Sequence, residues 1–325
     1  MKNKHLKILI IRFSSIGDIV LTSPVIRCLK EQIEELELHY LSKKAYEPVL
    51  AGNPHIDKIH FFESSLSDCI SELKKEKFDY IIDLHHNLRT FLIKTQLGVK
   101  SSSFDKLNRQ KWLLVNFKKN ILPPAHIVDR YLQTVNFLGV KNDGKGLDYF
   151  LLNAHDLADL LPESHQHYIS VVIGAQHGTK RLPVERLIEL CSKIKQPVVL
   201  LGGPEDQARG DAIMKGAGIH VFNGCGKFKL DQSAFIVKMS EQVISHDTGL
   251  MHIAAAFNKS ILSVWGNTVP EFGMYPYKTD RSRIFQVQGL SCRPCSKIGY
   301  ETCPKGHFKC MNLIDLNDII KEING

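Results

Sequence analysis

Short runs of Ile, Leu and Val alternate along the chain with longer stretches in which apolar residues return every three or four positions. A short apolar run flanked by turn residues suits a strand buried on both faces, and the longer period suits a helix with one buried stripe. The alternation therefore predicts βαβ units around parallel sheets. In the first half, strands are expected at 6–13, 36–41, 58–62 and 78–84. The stretch 19–30 reads as helical, with Pro24 starting or kinking it because proline supplies no backbone N–H. A further helix is expected at 125–138, stopped by Gly139 in the position of a C-cap. After the polar segment 141–146 a second series opens, with strands expected at 168–173, 197–201, 219–222, 242–245 and 260–264. The restart predicts two doubly wound α/β domains facing across a cleft, residues 1–160 and 161–325, the second closing with a Cys-rich tail and a final helix.

Composition narrows the class. Of 325 residues 43 % are apolar and 23 % charged, which excludes a disordered or fibrous protein and suits two domains with a core each. No apolar run approaches the length of about 18 residues that a spanning helix needs, so any membrane contact is expected to be peripheral. The run Ile8 to Ile11, bracketed by Lys7 and Arg12, is too short for a secretory signal, and the opening reads as that of a cytoplasmic protein. Lys and Arg total 42 against 34 Asp and Glu, and the net charge of +8 suits phosphorylated ligands, anionic lipid or nucleic acid without selecting among them. Cys28, Cys69, Cys191 and Cys225 are scattered and read as buried thiols of a reducing compartment.

Candidate chemistry sits where strands end. The first strand runs into Ser14-Ser15-Ile16-Gly17-Asp18, a small-residue turn that lacks both the dinucleotide glycine fingerprint and a Walker loop. Asp18 reads either as a helix N-cap or as a general base within reach of a substrate hydroxyl. Asp247-Thr248-Gly249 follows another strand and opens an Ala-rich helix, whose free N–H groups can bind a diphosphate through Thr248 and Gly249. Asp247 would repel that diphosphate, so it is expected to cap the helix or accept from a neutral ligand hydroxyl. The strand at 168–173 ends in Gly174-Ala175-Gln176, and Lys180 follows just before Pro183 opens a helix. A cation there neutralises a leaving diphosphate, or is simply solvated. Gly202-Gly203-Pro204-Glu205-Asp206 offers an acid for ribose hydroxyls, or a capped turn.

Together, Ser14 to Asp18, Lys180-x-x-Pro183, Gly202-Gly203-Pro204, Asp247-Thr248-Gly249-Leu250-x-His252 and Trp265-Gly266-Asn267-Thr268 resemble glycosyltransferase family 9, the ADP-heptose:lipopolysaccharide heptosyltransferases, over essentially the whole chain. The resemblance implies a GT-B fold of two Rossmann-like domains, with the nucleotide sugar held mainly by the second. It implies an inverting transfer of heptose from ADP-heptose onto the lipopolysaccharide inner core, without cofactor or catalytic metal. Asp18 then stands at the catalytic base and Lys180 at the diphosphate lysine. Ser14, Ser15, Gly17, Gln176, Asp247, Thr248 and Gly249 stand at substrate contacts, and Asp206, with Glu205 beside it, at the ribose acid. The tract from Asp83 to Arg89 occupies the acceptor side, where Arg89, with Arg109 and Lys111 beyond it, forms a basic rim for an acidic, lipid-linked acceptor. Peripheral attachment at the inner face of the inner membrane is expected with it.

Cys292, Cys295, Cys303 and Cys310, with His307 nearby, are spaced too widely in their second pair for a standard zinc ribbon. They read as a reduced packed loop, with a structural metal as the alternative. That alternative feeds a rival reading, a zinc-stabilised basic nucleic-acid binder, which lacks both a finger spacing and an aromatic RNA-binding strand. A glycosyltransferase using another nucleotide sugar is the nearer rival. No nucleic-acid partner is expected.

Overall fold

The computed structural model describes residues 5–63 and 65–324; residues 1–4, part of the opening read as cytoplasmic, lie outside them. Strands β1 (Leu6–Ile11), β2 (Leu36–Lys43), β3 (Lys58–Phe62), β4 (Tyr80–Asp83) and β5 (Lys100–Ser103) form one sheet in the order β3-β2-β1-β4-β5. Strands β6 (Ile169–Val172), β7 (Val198–Leu201), β8 (Val221–Asn223), β9 (Gln242–His246), β10 (Ser260–Trp265) and β11 (Ser282–Gln286) form a second, ordered β11-β10-β9-β6-β7-β8. Every pairing in both is parallel. Ile8, Leu9, Ile10 and Ile11 are all fully buried, as a central strand covered on both faces requires.

The stretch expected as one helix is two. Ile16–Val20 forms one short helix and Ser23–Gln32 the next, with Pro24 in its first turn, where a missing N–H costs nothing. Val25, Ile26, Cys28 and Leu29 supply the buried stripe of the second. The later helix runs from Ile127 to Leu132, tightens to a 3₁₀ turn over Gln133–Leu138, and stops at Gly139 with φ of +79°, a conformation other residues adopt only with strain.

The chain forms two compact units. One holds the residues up to Lys106 together with Ala125–Leu152; the other holds Leu107–Pro124 and everything from Asn153. The polar segment 141–146 is fixed within the first unit by Arg27, whose Nε and Nη2 donate to Asp143 at 2.7 and 2.9 Å while Nη2 also donates to the Gly146 carbonyl at 2.9 Å. That guanidinium pulls the Asp143 carboxyl down to about 2. Leu107–Pro124 joins the second unit through helix Asn108–Phe117, whose Leu114 packs with Val269 and Phe272.

Each sheet has one point where its winding reverses, between β1 and β4 in the first and between β6 and β9 in the second. Ligands of doubly wound sheets bind beyond the strand ends at such points. The loops that leave β1, β4, β6 and β9 therefore occupy the ligand-binding positions of their own sheets.

Candidate functional site

In the first unit, the loop after β1 carries Asp18 as the third residue of helix Ile16–Val20, with Ser15 as its N-cap, so Asp18 is not itself the cap. Its Oδ2 accepts from the Ser15 N–H at 3.2 Å and the Ser15 hydroxyl at 2.9 Å. Its Oδ1 lies 2.8 Å from Arg12 Nη2, and the carboxylate keeps a fifth of its surface exposed. Arg12 is buried, donating Nε to the Ser14 carbonyl at 2.7 Å and Nη1 to the Tyr131 hydroxyl at 3.0 Å. Burial opposes its charge, but Asp18 and then Tyr131 and Tyr40 outweigh this and raise its pKa above the ordinary arginine value. Gly17 is buried under the turn, while Ser14 and Ser15 are half-buried.

The loop after β4 is set by Asp83, fully buried, whose Oδ1 accepts from the backbone N–H of His85 at 3.0 Å and of His86 at 2.7 Å, with Lys94 Nζ 2.8 Å from Oδ2. The turn presents His85 edge-on to Phe13, ring centroids 5.0 Å apart. Its Nδ1 is buried without a hydrogen-bond partner among the described residues. Burial, then the Arg12 charge, hold the imidazole down to about 4, so it is neutral. His85 lies in the tract expected on the acceptor side, and Phe13, which it meets, leads directly into the turn of Asp18. Arg89 lies exposed on the following helix, Leu88–Leu97, its guanidinium 5.7 Å from the Phe62 ring centroid.

In the second unit, the loops after β6 and β9 bring Lys180 and Asp247 together: Lys180 Nζ donates to Asp247 Oδ2 at 2.6 Å, and the Thr268 hydroxyl donates to the same oxygen at 3.1 Å. Asp247 thus forms an ion pair, and Thr248 takes the N-cap of helix Gly249–Ala256. Among the described residues no hydrogen bond reaches Asp247 Oδ1. The first-turn N–H groups beside it have no partners within the helix, which leaves one carboxylate oxygen, one ammonium and a helix amino end grouped at a strand terminus. His246 secures the two loops, its Nε2 accepting from the Leu182 N–H at 3.0 Å. Burial foremost, then Arg209 and Arg181, depress that imidazole to about 3 and keep it neutral, as an acceptor must be.

A sequence profile of glycosyltransferase family 9 (heptosyltransferase) matches residues 68–305. That is well over half of the chain. It belongs to glycosyltransferase family 9. The lipopolysaccharide heptosyltransferase 1 of Campylobacter coli is 26 % identical over 97 % of this chain and 97 % of its own. Among solved structures, the family 9 glycosyl transferase of Veillonella parvula superposes with a TM-score of 0.78 at 20 % identity, covering all of this chain and 98 % of that one. The E. coli heptosyltransferase WaaC with ADP-2-deoxy-2-fluoro heptose gives 0.69 at 17 % identity, covering 98 % and 100 %. The two parallel sheets are the Rossmann-like domains of the GT-B fold.

In this glycosyltransferase Asp206 does not offer a free carboxylate. It is fully buried, accepting from the Gly203 N–H at 3.1 Å and from Arg209 Nη1 at 3.1 Å, with Arg181 3.6 Å away. A Cβ on Gly174 would lie 2.5 Å from its Oδ2, so glycine there lets the loop after β6 close over the acid. Asp206, expected at the ribose, is thus held inside the turn, and the exposed acid of this turn is its neighbour Glu205. Gln176 is exposed on the loop after β6.

The Cys-rich tail is built into the same unit. Thr179, next to Lys180, donates its N–H to the Tyr300 carbonyl at 3.0 Å and accepts the Tyr300 N–H on its hydroxyl at 2.8 Å. Arg293 Nη2 donates to the Thr268 carbonyl at 2.8 Å, and Asn267 Nδ2 to the Ser296 hydroxyl at 3.3 Å. The loops bearing Lys180 and Thr268 are thereby held from outside. The four tail cysteines are free thiols, and Cys292 Sγ lies 3.9 Å from His307 Nε2. Burial first, then neighbouring tail cysteines, push the Cys310 thiol up to about 11.

Among the described residues, one trio of metal-ligating atoms lies within 4.8 Å of one another: His39, His60 and Glu76. His39 and His60 are hydrogen-bonded to each other at 2.9 Å, His39 also to Glu37 at 2.7 Å, and Lys7 and Lys58 both pair with Glu76. The group is complete as a buried polar network. Burial, then His39, lower His60 to about 4.

With His60, His85 and His246 all neutral, acid is expected to destabilise this glycosyltransferase early. Unfolded imidazoles protonate near 6.5, whereas these resist to about 4, about 4 and about 3. Below pH 6.5 the unfolded chain binds more protons, so stability falls as pH drops from about 6.5 toward about 4. Each proton contributes about 1.4 kcal/mol per pH unit. Urea midpoints measured across this range should fall steeply; a flat profile between pH 7 and 5 would contradict it.

Proposed function

We propose that the enzyme transfers heptose from ADP-heptose to a hydroxyl of the lipopolysaccharide inner core, with inversion. The observation that carries this reading is the grouping of Lys180, the open Oδ1 of Asp247 and the helix amino end at Thr248 and Gly249. A diphosphate suits the ammonium and the N–H groups, and a sugar hydroxyl suits the remaining carboxylate oxygen. In the first unit, Asp18 accepts the proton of the acceptor hydroxyl as the new bond to the anomeric carbon forms. The bond from that carbon to the diphosphate breaks, and ADP departs with its charge offset by Lys180. Ser14, Ser15 and Gly17 shape the turn around Asp18, and Gln176 and Arg89 are substrate contacts on this reading. Further support comes from the relatives: one is named a lipopolysaccharide heptosyltransferase, and another was solved with a fluorinated ADP-heptose.

A panel of nucleotide sugars, followed by thermal unfolding and then by transfer to heptose-free core saccharide, tests the assignment. ADP-heptose should raise Tm more than ADP-, UDP- or GDP-hexoses, and the product linkage should have the anomeric configuration opposite to that of the donor. Stabilisation by a UDP- or GDP-sugar alone would shift the reading to another donor, and a retained configuration would remove Asp18 from the role of base.

A further inference from the structure

We propose that the segment Leu107–Pro124 docks this protein on anionic lipid bilayers. Helix Asn108–Phe117 buries Leu114 against Val269 and Phe272, with Val115 and Leu122 packed on the same cluster. Away from that cluster the segment leaves large apolar side chains in water: Trp112 and Phe117 on the helix are 49 % and 65 % exposed, and Ile121 beyond it 47 %. Trp112 and Phe117 stand edge to face with centroids 5.2 Å apart, so the aromatic surface is one patch. Contiguous exposed apolar surface of this kind marks an interaction site.

The charges say which kind. From 107 to 124 the chain carries Arg109, Lys111, Lys118 and Lys119 and no Asp or Glu, four cations against a whole-chain excess of +8. Arg109 and Lys119 are exposed on the same segment as the aromatic patch, while Lys118 donates its Nζ to the Val115 and Pro294 carbonyls at 2.7 and 2.8 Å and adds its charge from there. Trp and Phe flanked by cations of one sign is the pattern of a helix that lies in a headgroup layer, apolar side inward and cations on lipid phosphates. A second copy of the chain fits less well, because two such patches brought together repel. Nucleic acid would use the cations and leave Phe117 and Ile121 without a role. No helix among the described residues is long and apolar enough to cross a membrane, so the contact is peripheral. The inference deepens the proposed function, whose acceptor is lipid-linked, by naming the surface that meets the lipid.

The chain has two tryptophans, and Trp265 is only 1 % exposed, so Trp112 reports on the patch almost alone. Full-length protein is titrated with vesicles of phosphatidylcholine, with and without phosphatidylglycerol, while Trp emission and co-sedimentation are followed. Anionic vesicles should shift the emission to the blue and sediment the protein, and added salt should reverse both because the charges are exposed. Lys119→Gln should weaken partition about fivefold, and Trp112→Ala with Phe117→Ala about tenfold or more, with unchanged melting and donor binding. Trp112→Phe should abolish the emission shift and keep the sedimentation. Absence of binding, equal binding to pure phosphatidylcholine, wild-type binding by the double alanine variant, dimerisation that buries Trp112, or RNA binding in place of lipid would each overturn the proposal. Transfer to a detergent-dispersed acceptor is measured separately, so loss of lipid binding with intact transfer rejects this inference alone, and the converse rejects only the functional reading.

Discussion

Asp18→Asn is expected to lower transfer by about 10²- to 10⁴-fold while donor binding stays near that of the wild type. The amide oxygen can still accept from the Ser15 N–H and hydroxyl, so the turn after β1 keeps its geometry. What disappears is the capacity to take a proton and the charge 2.8 Å from Arg12. Arg12 retains the Ser14 and Leu84 carbonyls and the Tyr131 hydroxyl, so the loss of stability should stay near 1–3 kcal/mol. Steady-state transfer, donor titration and melting on one preparation separate the two effects. Near-normal turnover in the variant would remove Asp18 from the chemistry.

Lys180→Ala should cost on the order of 10² in rate, the effect of removing one well-placed group from a charge-developing centre. It should also destabilise, because Asp247, 9 % exposed, would keep its charge with only the Thr268 hydroxyl on Oδ2. The two consequences come apart in the double variant. Lys180→Ala with Asp247→Asn leaves no stranded charge, so Tm should recover while the rate does not. Recovery of both would make the pair a structural ion bridge without a part in transfer.

The elements of the fold were legible wherever burial imposed a pattern. β1 and β6 lie within their expected spans, because each is an apolar run that a covered sheet demands, and the edge strand at 58–62 is found at its expected residues through Ile59, Phe61 and Phe62. Two edge strands were not legible. β5 reads Lys-Ser-Ser-Ser, with no apolar run to announce it, and in β11 Arg283 and Ile284 are exposed, as an edge permits. The candidate site was legible as strand-end turns, since small residues and an acid after an apolar run mark a loop entering a helix. Its pairings were not. Lys180 and Asp247 are 67 positions apart and meet because β6 and β9 are neighbours, an adjacency that spacing along the chain does not encode. His85 meets Phe13 for the same reason, through β1 and β4. The burial of Asp206 rests on Arg209 and on the glycine at 174, neither of which looks unusual in isolation.

The bond between Thr179 and Tyr300 spans 121 positions, and that between Lys118 and Pro294 spans 176. During translation this imposes a schedule. The first sheet has all its strands once Ser103 has emerged, but the helix that follows must wait, uncovered, until Val269 and Phe272 are made. The loop of Lys180 waits longer still, for Tyr300. A ribosome stalled between Phe272 and Tyr300 therefore leaves a nascent chain with its first sheet complete and its Lys180 loop unclamped, and one stalled before Val269 also leaves Leu114 without its cover.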